Sequence, residues 1–289
     1  MGKKGKRSAK TGDDKAKQGP GKARRERAVA MKEIRAGVEA LIERLESETI
    51  DMELYGPLPE QEECPICFLP MPRSMGGHVY MACCGKTLCG GCVHTANLIN
   101  RKAKKNWALC AFCRSEAVQE EKAIVAKLSK RAEKNDEQAI RNLAEKYLRG
   151  NSGQPKDEVM FFRLHLRAVE LGSLASIYAL ATHFHEGEDP RDAAFAMQLA
   201  TIAAKKGDLE SYYLLGLIYQ ELRETEYAVK SWTFAASSGH NDCMEFLRTV
   251  IGDDKREAIE EAYKDATKLE WSEEREGFKT FVDNYTALS

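Results

Sequence analysis

Eight of the nine cysteines in this 289-residue chain fall between residues 64 and 113. They read Cys64-Pro65-Ile66-Cys67, Cys83-Cys84, Cys89-Gly90-Gly91-Cys92 and Cys110-Ala111-Phe112-Cys113. Three of the four groups are Cys-x-x-Cys knuckles, a spacing at which two thiolates reach one tetrahedral ion without straining the chain. Four thiolates complete one zinc, so eight complete two with none left over. A disulfide framework is the competing use of so many cysteines. It is disfavoured because the sequence shows no secretory signal and a chain of this length builds a core without staples. Redox catalysis by one Cys-x-x-Cys fits poorly with three knuckles and no βαβ pattern around them. Zinc held by four thiolates is redox-silent and keeps no open position. The segment is therefore expected to hold a shape and present a surface.

Two ligand pairings fit the spacing. A sequential one joins Cys64, Cys67, Cys83 and Cys84, then Cys89, Cys92, Cys110 and Cys113. An interleaved one joins Cys64, Cys67, Cys89 and Cys92, then Cys83, Cys84, Cys110 and Cys113. Cys83 and Cys84 are adjacent, so sharing one ion needs a tight bend, which Gly85 helps. His78 or His94 is an alternative to Cys83 as the fourth ligand. Lys86, Arg101, Lys102, Lys104, Lys105 and Arg114 cluster round the thiolates, and opposite charge nearby favours the ionised form.

Residues 62 to 116 resemble the RING finger in the order of the cysteine pairs and the lengths between them. The resemblance implies interleaved, cross-braced zinc sites. It also implies docking of a ubiquitin-conjugating enzyme. Ile66, between the first two cysteines, and Trp107, before the last knuckle, stand where that family carries apolar contacts for the enzyme. Arg114, after the final cysteine, stands where active members carry a basic residue touching both enzyme and ubiquitin. The family's usual histidine is missing, with Lys86 near its place, so the match is to the all-cysteine variant. Ala111 replaces the proline common in the last knuckle. Ile66, Trp107 and Phe112 would equally serve as the small apolar core of the module.

The remaining chain divides around this module. Residues 1–30 carry 11 Lys or Arg against 3 Asp or Glu, a net +8, so the rest of the chain carries −9. Residues 1–27 are Lys-, Gly- and Ala-rich with almost nothing to bury, which predicts a disordered basic tail. Its clusters Lys3-Lys4-Gly5-Lys6-Arg7 and Arg24-Arg25-Glu26-Arg27 read as a solvated tail, a nuclear import signal or a nucleic-acid arm. No aromatic is interleaved with them, so base stacking is not indicated and nucleic acid is not an expected partner. Lys6 stands where a myristoylation signal needs Ser or Thr. Within residues 28–55, Met31, Ile34, Val38, Leu41 and Leu45 recur at steps of 3, 4, 3 and 4, the stripe of an amphipathic helix. Such a stripe would pack on the zinc module, on the repeats or on a second copy. Gly56-Pro57-Leu58-Pro59 breaks it and leads into the module at residues 60–116. There a loop and a short strand over 78–81 are expected, then a helix over 93–107.

Beyond residue 117 the chain repeats. Ala139/Leu143/Ala144/Tyr147, Ser176/Leu180/Ala181/Phe184 and Ser211/Leu215/Gly216/Tyr219 share one spacing, and Cys243/Leu247/Ile251 is a weaker fourth. Asn135, Gly172, Gly207 and Gly239 each stand four residues ahead, 37, 35 and 32 apart. Such residues tolerate the left-handed conformation that ends a helix. The second helix of each unit ends on small residues: Ala168, then Ala203-Ala204, then Ala235-Ala236. The period predicts an α-solenoid. Residues 130–250 resemble the Sel-one-like repeats, relatives of the tetratricopeptide repeat, with 255–289 as a capping helix pair. That resemblance implies a scaffold for protein partners.

The expected architecture is therefore a small zinc-stabilised α+β RING module, then an all-α solenoid of helix-turn-helix repeats over 117–289, behind a disordered basic N-terminus. The composition, 43% hydrophobic and 31% charged, has no run long enough to span a membrane. An intracellular protein, cytoplasmic or nuclear, is expected. Read together, the two resemblances imply a ubiquitin-protein ligase with two Zn2+ ions and no covalent catalytic residue. The repeats would hold the substrate or a partner. The alternative is a non-catalytic zinc-binding scaffold. Cys243 falls on a small-residue position of the repeat and is expected to be a packed thiol. His183 and His185 are two apart on a helix and point in different directions.

Overall fold

The computed structural model describes residues 20–73, 77–102, 109–116, 120–150, 155–187 and 189–250, with helical positions at 260, 261 and 264. The basic tail up to residue 19 and almost all of the expected capping pair lie outside these residues.

The first helix, α1 (Pro20–Glu48), begins earlier than its apolar stripe. Proline suits the first helical position because its missing N–H has no partner there anyway. The Ala, Arg and Glu that follow are strong helix formers needing no apolar contact. Residues 20–27, read from sequence as part of the tail, are therefore helical. The apolar period reports only the packed half, where Ile34, Val38, Leu41, Ile42 and Leu45 are buried. That stripe lies against two repeat helices, α5 (Glu158–Glu170) and α7 (Pro190–Lys205). Arg35 fixes the crossing by donating to both carboxylate oxygens of Asp192 on α7 at 2.9 Å. The Asp192 side chain is only 8% exposed, so this pair is shielded from solvent.

Among the described residues, the cysteine-rich segment holds one antiparallel hairpin, β1 (His78–Met81) with β2 (Lys86–Cys89), in register His78↔Cys89 to Met81↔Lys86. Helix α2 (Gly90–Lys102) follows directly. The rest of the expected 93–107 helix falls on undescribed residues.

The helical body adds α3 (Glu121–Ala132), α4 (Glu137–Arg149), α6 (Leu174–His185), α8 (Leu209–Glu221), α9 (Thr225–Ser237) and α10 (Asn241–Val250). α4 pairs with α5, α6 with α7, and α8 with α9, and successive pairs stack. All four residues singled out as helix stops adopt left-handed backbone: Asn135 at φ 60°, Gly172 at 93°, Gly207 at 96° and Gly239 at 97°. Each turn closes alike. Ser173 N–H reaches back to Ala168 C=O, Asp208 to Ala203, His240 to Ala235 and Asp136 to Arg131. These six-to-one bonds satisfy carbonyls that a helix end leaves orphaned. Arg223, φ 62°, makes a fifth such turn that no glycine signals, closed by Glu224 N–H to Tyr219 C=O. The residue after the turn then serves the next helix. Asp136 and Asp208 accept from the N–H three residues on, and His240 Nδ1 accepts from Cys243 N–H. Among the described residues no helix is long and apolar enough to cross a membrane.

The segment after α1 is not a free linker. Tyr55 hydroxyl lies 3.0 Å from Ser231 Oγ on α9, and its ring meets Phe234 edge-on. Lys230 Nζ sits 4.4 Å from the centre of that ring. Pro59 presses on Gly207, where an added Cβ would lie 2.3 Å from its ring. The chain from residue 31 to 59 thus runs across the repeats.

Gly216 tests the repeat packing. Its missing Cβ leaves room for Trp232, whose Nε1 would lie 2.0 Å from that atom and donates to Tyr213 C=O at 3.2 Å. Gly→Ala inside a helix gains about 1 kcal/mol from propensity, whereas overpacking a core costs ~1–3 kcal/mol. Gly216→Ala is expected to lower the urea midpoint; a raised midpoint would show that Trp232 yields at no cost.

Candidate metal centre

The eight cysteines gather into two quartets, Cys64/Cys67/Cys89/Cys92 and Cys83/Cys84/Cys110/Cys113, within each of which all sulfurs lie within 4.8 Å of one another. The pairing is interleaved: the first knuckle meets the third, and the adjacent pair meets the fourth. Cys64 and Cys92 sulfurs are 3.9 Å apart, and Cys67 and Cys89 3.8 Å. In the second quartet, Cys84 and Cys110 are 3.9 Å apart, and Cys83 and Cys113 3.6 Å. These are far beyond a sulfur–sulfur bond of about 2.0 Å, and all eight thiols are free. A tetrahedron with metal–sulfur distances of about 2.3 Å has an edge of ~3.8 Å. The observed spacings fit that edge, so each quartet can hold one divalent ion.

Local backbone explains the shape. The first and last knuckles are built alike. Phe68 N–H bonds Cys64 C=O at 2.8 Å and Arg114 N–H bonds Cys110 C=O at 3.1 Å. Cys64 N–H bonds Leu69 C=O and Cys110 N–H bonds Ser115 C=O, both at 2.9 Å. Glu63↔Pro70 and Leu109↔Glu116 bridges close the two loops. This geometry puts the residue after each second cysteine in left-handed backbone: Phe68 at φ 58° and Arg114 at φ 59°. Bulky residues rarely sit there. Between these knuckles, Cys83 and Cys84 occupy the hairpin turn, where Cys84 and Gly85 N–H groups both bond Met81 C=O. Gly85 supplies the bend expected of it, at φ 70°. The third knuckle straddles the strand–helix junction, with Cys92 in the first turn of α2, and a helix N-terminus favours negative charge.

The sulfurs are also hydrogen-bond acceptors. Cys89 N–H points at Cys64 Sγ and Cys92 N–H at Cys89 Sγ, both at 3.5 Å. Peptide N–H groups of Leu69, Lys86 and Ser115 serve Cys67, Cys84 and Cys113. Cys67, Cys83, Cys84 and Cys92 resist ionisation. Burial pushes the Cys84 thiol up to about 12 and raises Cys67 and Cys83. The bond with Cys89 raises Cys92 further still. Cys113 is held down, at about 6, chiefly by the Ser115 hydroxyl. A divalent ion reverses this balance, because thiolate ligands must be deprotonated and binding releases their protons.

Neither alternative ligand joins a quartet. His78 opens β1 with a ring bond to the Pro72 backbone, and His94 lies within α2. Cys83, the position they were to replace, lies in the second quartet. Of the expected partner contacts, Ile66 is 36% exposed at the tip of the first knuckle and Arg114 is exposed beside the last. Trp107 lies outside the described residues, as do Lys104 and Lys105. Sequence reasoning missed Phe68, which is 70% exposed; its only signal was its place just after a knuckle. Phe112, also exposed, carries Lys86 Nζ 5.9 Å from its ring centre. In the repeats, Cys243 is buried as a packed thiol. His183 and His185 pair with different partners, Glu158 and Glu221.

No protein-family model and no curated protein matches the chain. Among solved structures, immunity protein Pa5087 from Pseudomonas aeruginosa is similar at 18% identity and a TM-score of 0.32. The match covers 63% of this chain and 83% of that one. A likeness that distant carries no argument here.

Titrating the reduced protein with Co2+ is expected to saturate at two equivalents, followed by thiolate-to-cobalt charge-transfer absorbance. Cys84→Ser should leave one strong site. Saturation at a single equivalent in the unsubstituted chain would contradict the two-quartet arrangement.

Proposed function

We propose that the chain is a RING-type ubiquitin-protein ligase whose quartets hold two Zn2+ ions and whose repeats carry the substrate or a partner. The observation that carries this reading is the interleaved pairing, the cross-braced order the resemblance implies. It converts four separate loops into one rigid unit. Zinc suits eight thiolates because it is indifferent to redox state and accepts tetrahedral sulfur. When bound, it supplies no chemistry beyond holding shape.

What this chain's own residues would do is bind and orient. Ile66 and Phe68, on and just after the first knuckle, offer apolar surface to a ubiquitin-conjugating enzyme. Arg114 offers a guanidinium with five fixed donors to the enzyme and the ubiquitin thioester together. Rate enhancement would come from restricting the thioester to reactive geometries, with no covalent intermediate on this chain. Arg114 supports this role by its backbone: glycine would relieve the left-handed conformation, yet the chain places an arginine there. The non-catalytic scaffold is favoured by one specific feature, Ala111 in place of the family's proline.

The test is thioester discharge by a panel of ubiquitin-conjugating enzymes. Ile66→Ala and Arg114→Ala are each expected to slow it by about tenfold or more, the equivalent of ~1.4 kcal/mol, with metal content unchanged. Normal rates in both variants would remove the docking face. No discharge with any enzyme of the panel would leave the scaffold.

A further inference from the structure

The hairpin turn that presents Cys83 and Cys84 is gripped from the other side by the first repeat turn. Arg131, at the end of α3, donates from Nε to Ala82 C=O at 3.0 Å, one residue before Cys83. Its Nη1 donates to Asp136 Oδ2 at 2.9 Å. Tyr80 hydroxyl on β1 donates to the same oxygen at 2.7 Å. The other oxygen of Asp136 accepts from Ala139 N–H and so caps α4. Thr87 on β2 reaches Gln138, in the first turn of α4, at 2.5 Å. One carboxylate thus joins the metal-site hairpin to the start of a repeat helix.

Gly85 shows how closely the two parts are fitted. A Cβ there would lie 2.0 Å from Arg131 Nη1 and 2.8 Å from Asp136 Oδ2. The residue that bends the chain between Cys84 and β2 is also the residue that admits the guanidinium. Little apolar burial holds the turn, since Leu88 and Pro72 are the buried apolar residues other than cysteine and glycine among the described residues of 60–116.

We propose that the second quartet and the cap of α4 form one coupled unit, in which a divalent ion at Cys83, Cys84, Cys110 and Cys113 orders the turn that Arg131 and Asp136 hold and thereby stabilises the start of the repeat array. This rests on the quartets binding metal, and not on ligase activity. The first quartet joins this unit less directly, through Cys89 at the end of β2, two residues beyond Thr87. Coupling of this kind is reciprocal: whatever factor the ion adds to the stability of the joint, the joint adds to the affinity for the ion.

The experiment is amide hydrogen exchange on the full chain loaded with two Zn2+, compared with single-site variants. Cys113→Ser, which empties the second quartet, is expected to speed exchange across residues 137–149. Cys67→Ser, which empties the first, should leave that segment unchanged. In the opposite direction, Arg131→Ala and Gly85→Ala should each weaken the second Zn2+ by about fivefold or more, within the usual range of coupling, and spare the first. Competition with a colorimetric chelator reads both affinities. Two bound ions with exchange over 137–149 indifferent to Cys113→Ser, or equal weakening of both sites by Arg131→Ala, would overturn the coupling. No metal uptake at all would overturn the metal sites themselves, and the coupling with them.

Discussion

Four sulfurs held about 3.8 Å apart cannot all be thiolates unless a cation sits among them. That repulsion governs the segment between residues 60 and 116. The described part of it buries almost nothing apolar, and two knuckles force Phe68 and Arg114 into left-handed backbone. Neither hydrophobic burial nor backbone preference accounts for such a structure. A divalent ion in each quartet would supply an attraction large enough to hold it, assisted by peptide N–H groups aimed at the sulfurs. Structural zinc sites supply roughly 10–16 kcal/mol of apparent binding energy in small domains. One buried leucine supplies about 2 kcal/mol.

The helical body rests on ordinary physics. Five left-handed turns end helices with six-to-one bonds, and the side chain of the following residue caps the next helix at three of them. Alanines at the ends of α7 and α9 are fully buried, so neighbouring helices approach closely. Upon this frame α1 lies as an added layer, its apolar stripe against α5 and α7 and Arg35 locked to Asp192. The face that α5 and α7 would otherwise offer is covered by α1. The hairpin and the helical body meet through side-chain hydrogen bonds centred on Asp136 and through Tyr80 and Ala82, which pack against the helical core.

Much of this was legible in the chain. Asn135, Gly172, Gly207 and Gly239 announced left-handed stops because glycine and asparagine carry the least penalty there. Arg223 did not, since arginine has no such preference, although the same turn closes there through Glu224 N–H to Tyr219 C=O. The steps of 3 and 4 in α1 named its buried face but not its start, because the helix begins before the stripe and residues 24–29 are exposed. They also left three partners open for that face, and packing on the repeats is the outcome. At the metal centre the cysteine spacing named all eight sulfurs. Phe68 was invisible, because its exposure follows from the knuckle's hydrogen bonds and not from its neighbours in sequence.

What the residues alone determined is local: knuckles, helix stops, and the apolar stripe, each set by contacts within about one turn of chain. What tertiary structure decided is pairing across distance. Spacing admitted both sequential and interleaved sulfur sets, and only the hairpin's placement against the first and last knuckles brings Cys89 to Cys67 and Cys83 to Cys113. Likewise nothing in the order of residues joins Tyr80, Arg131 and Asp136. They share one carboxylate because the fold brings a hairpin and a helix start within hydrogen-bond reach, and a hydrogen bond senses distance in space and not along the chain.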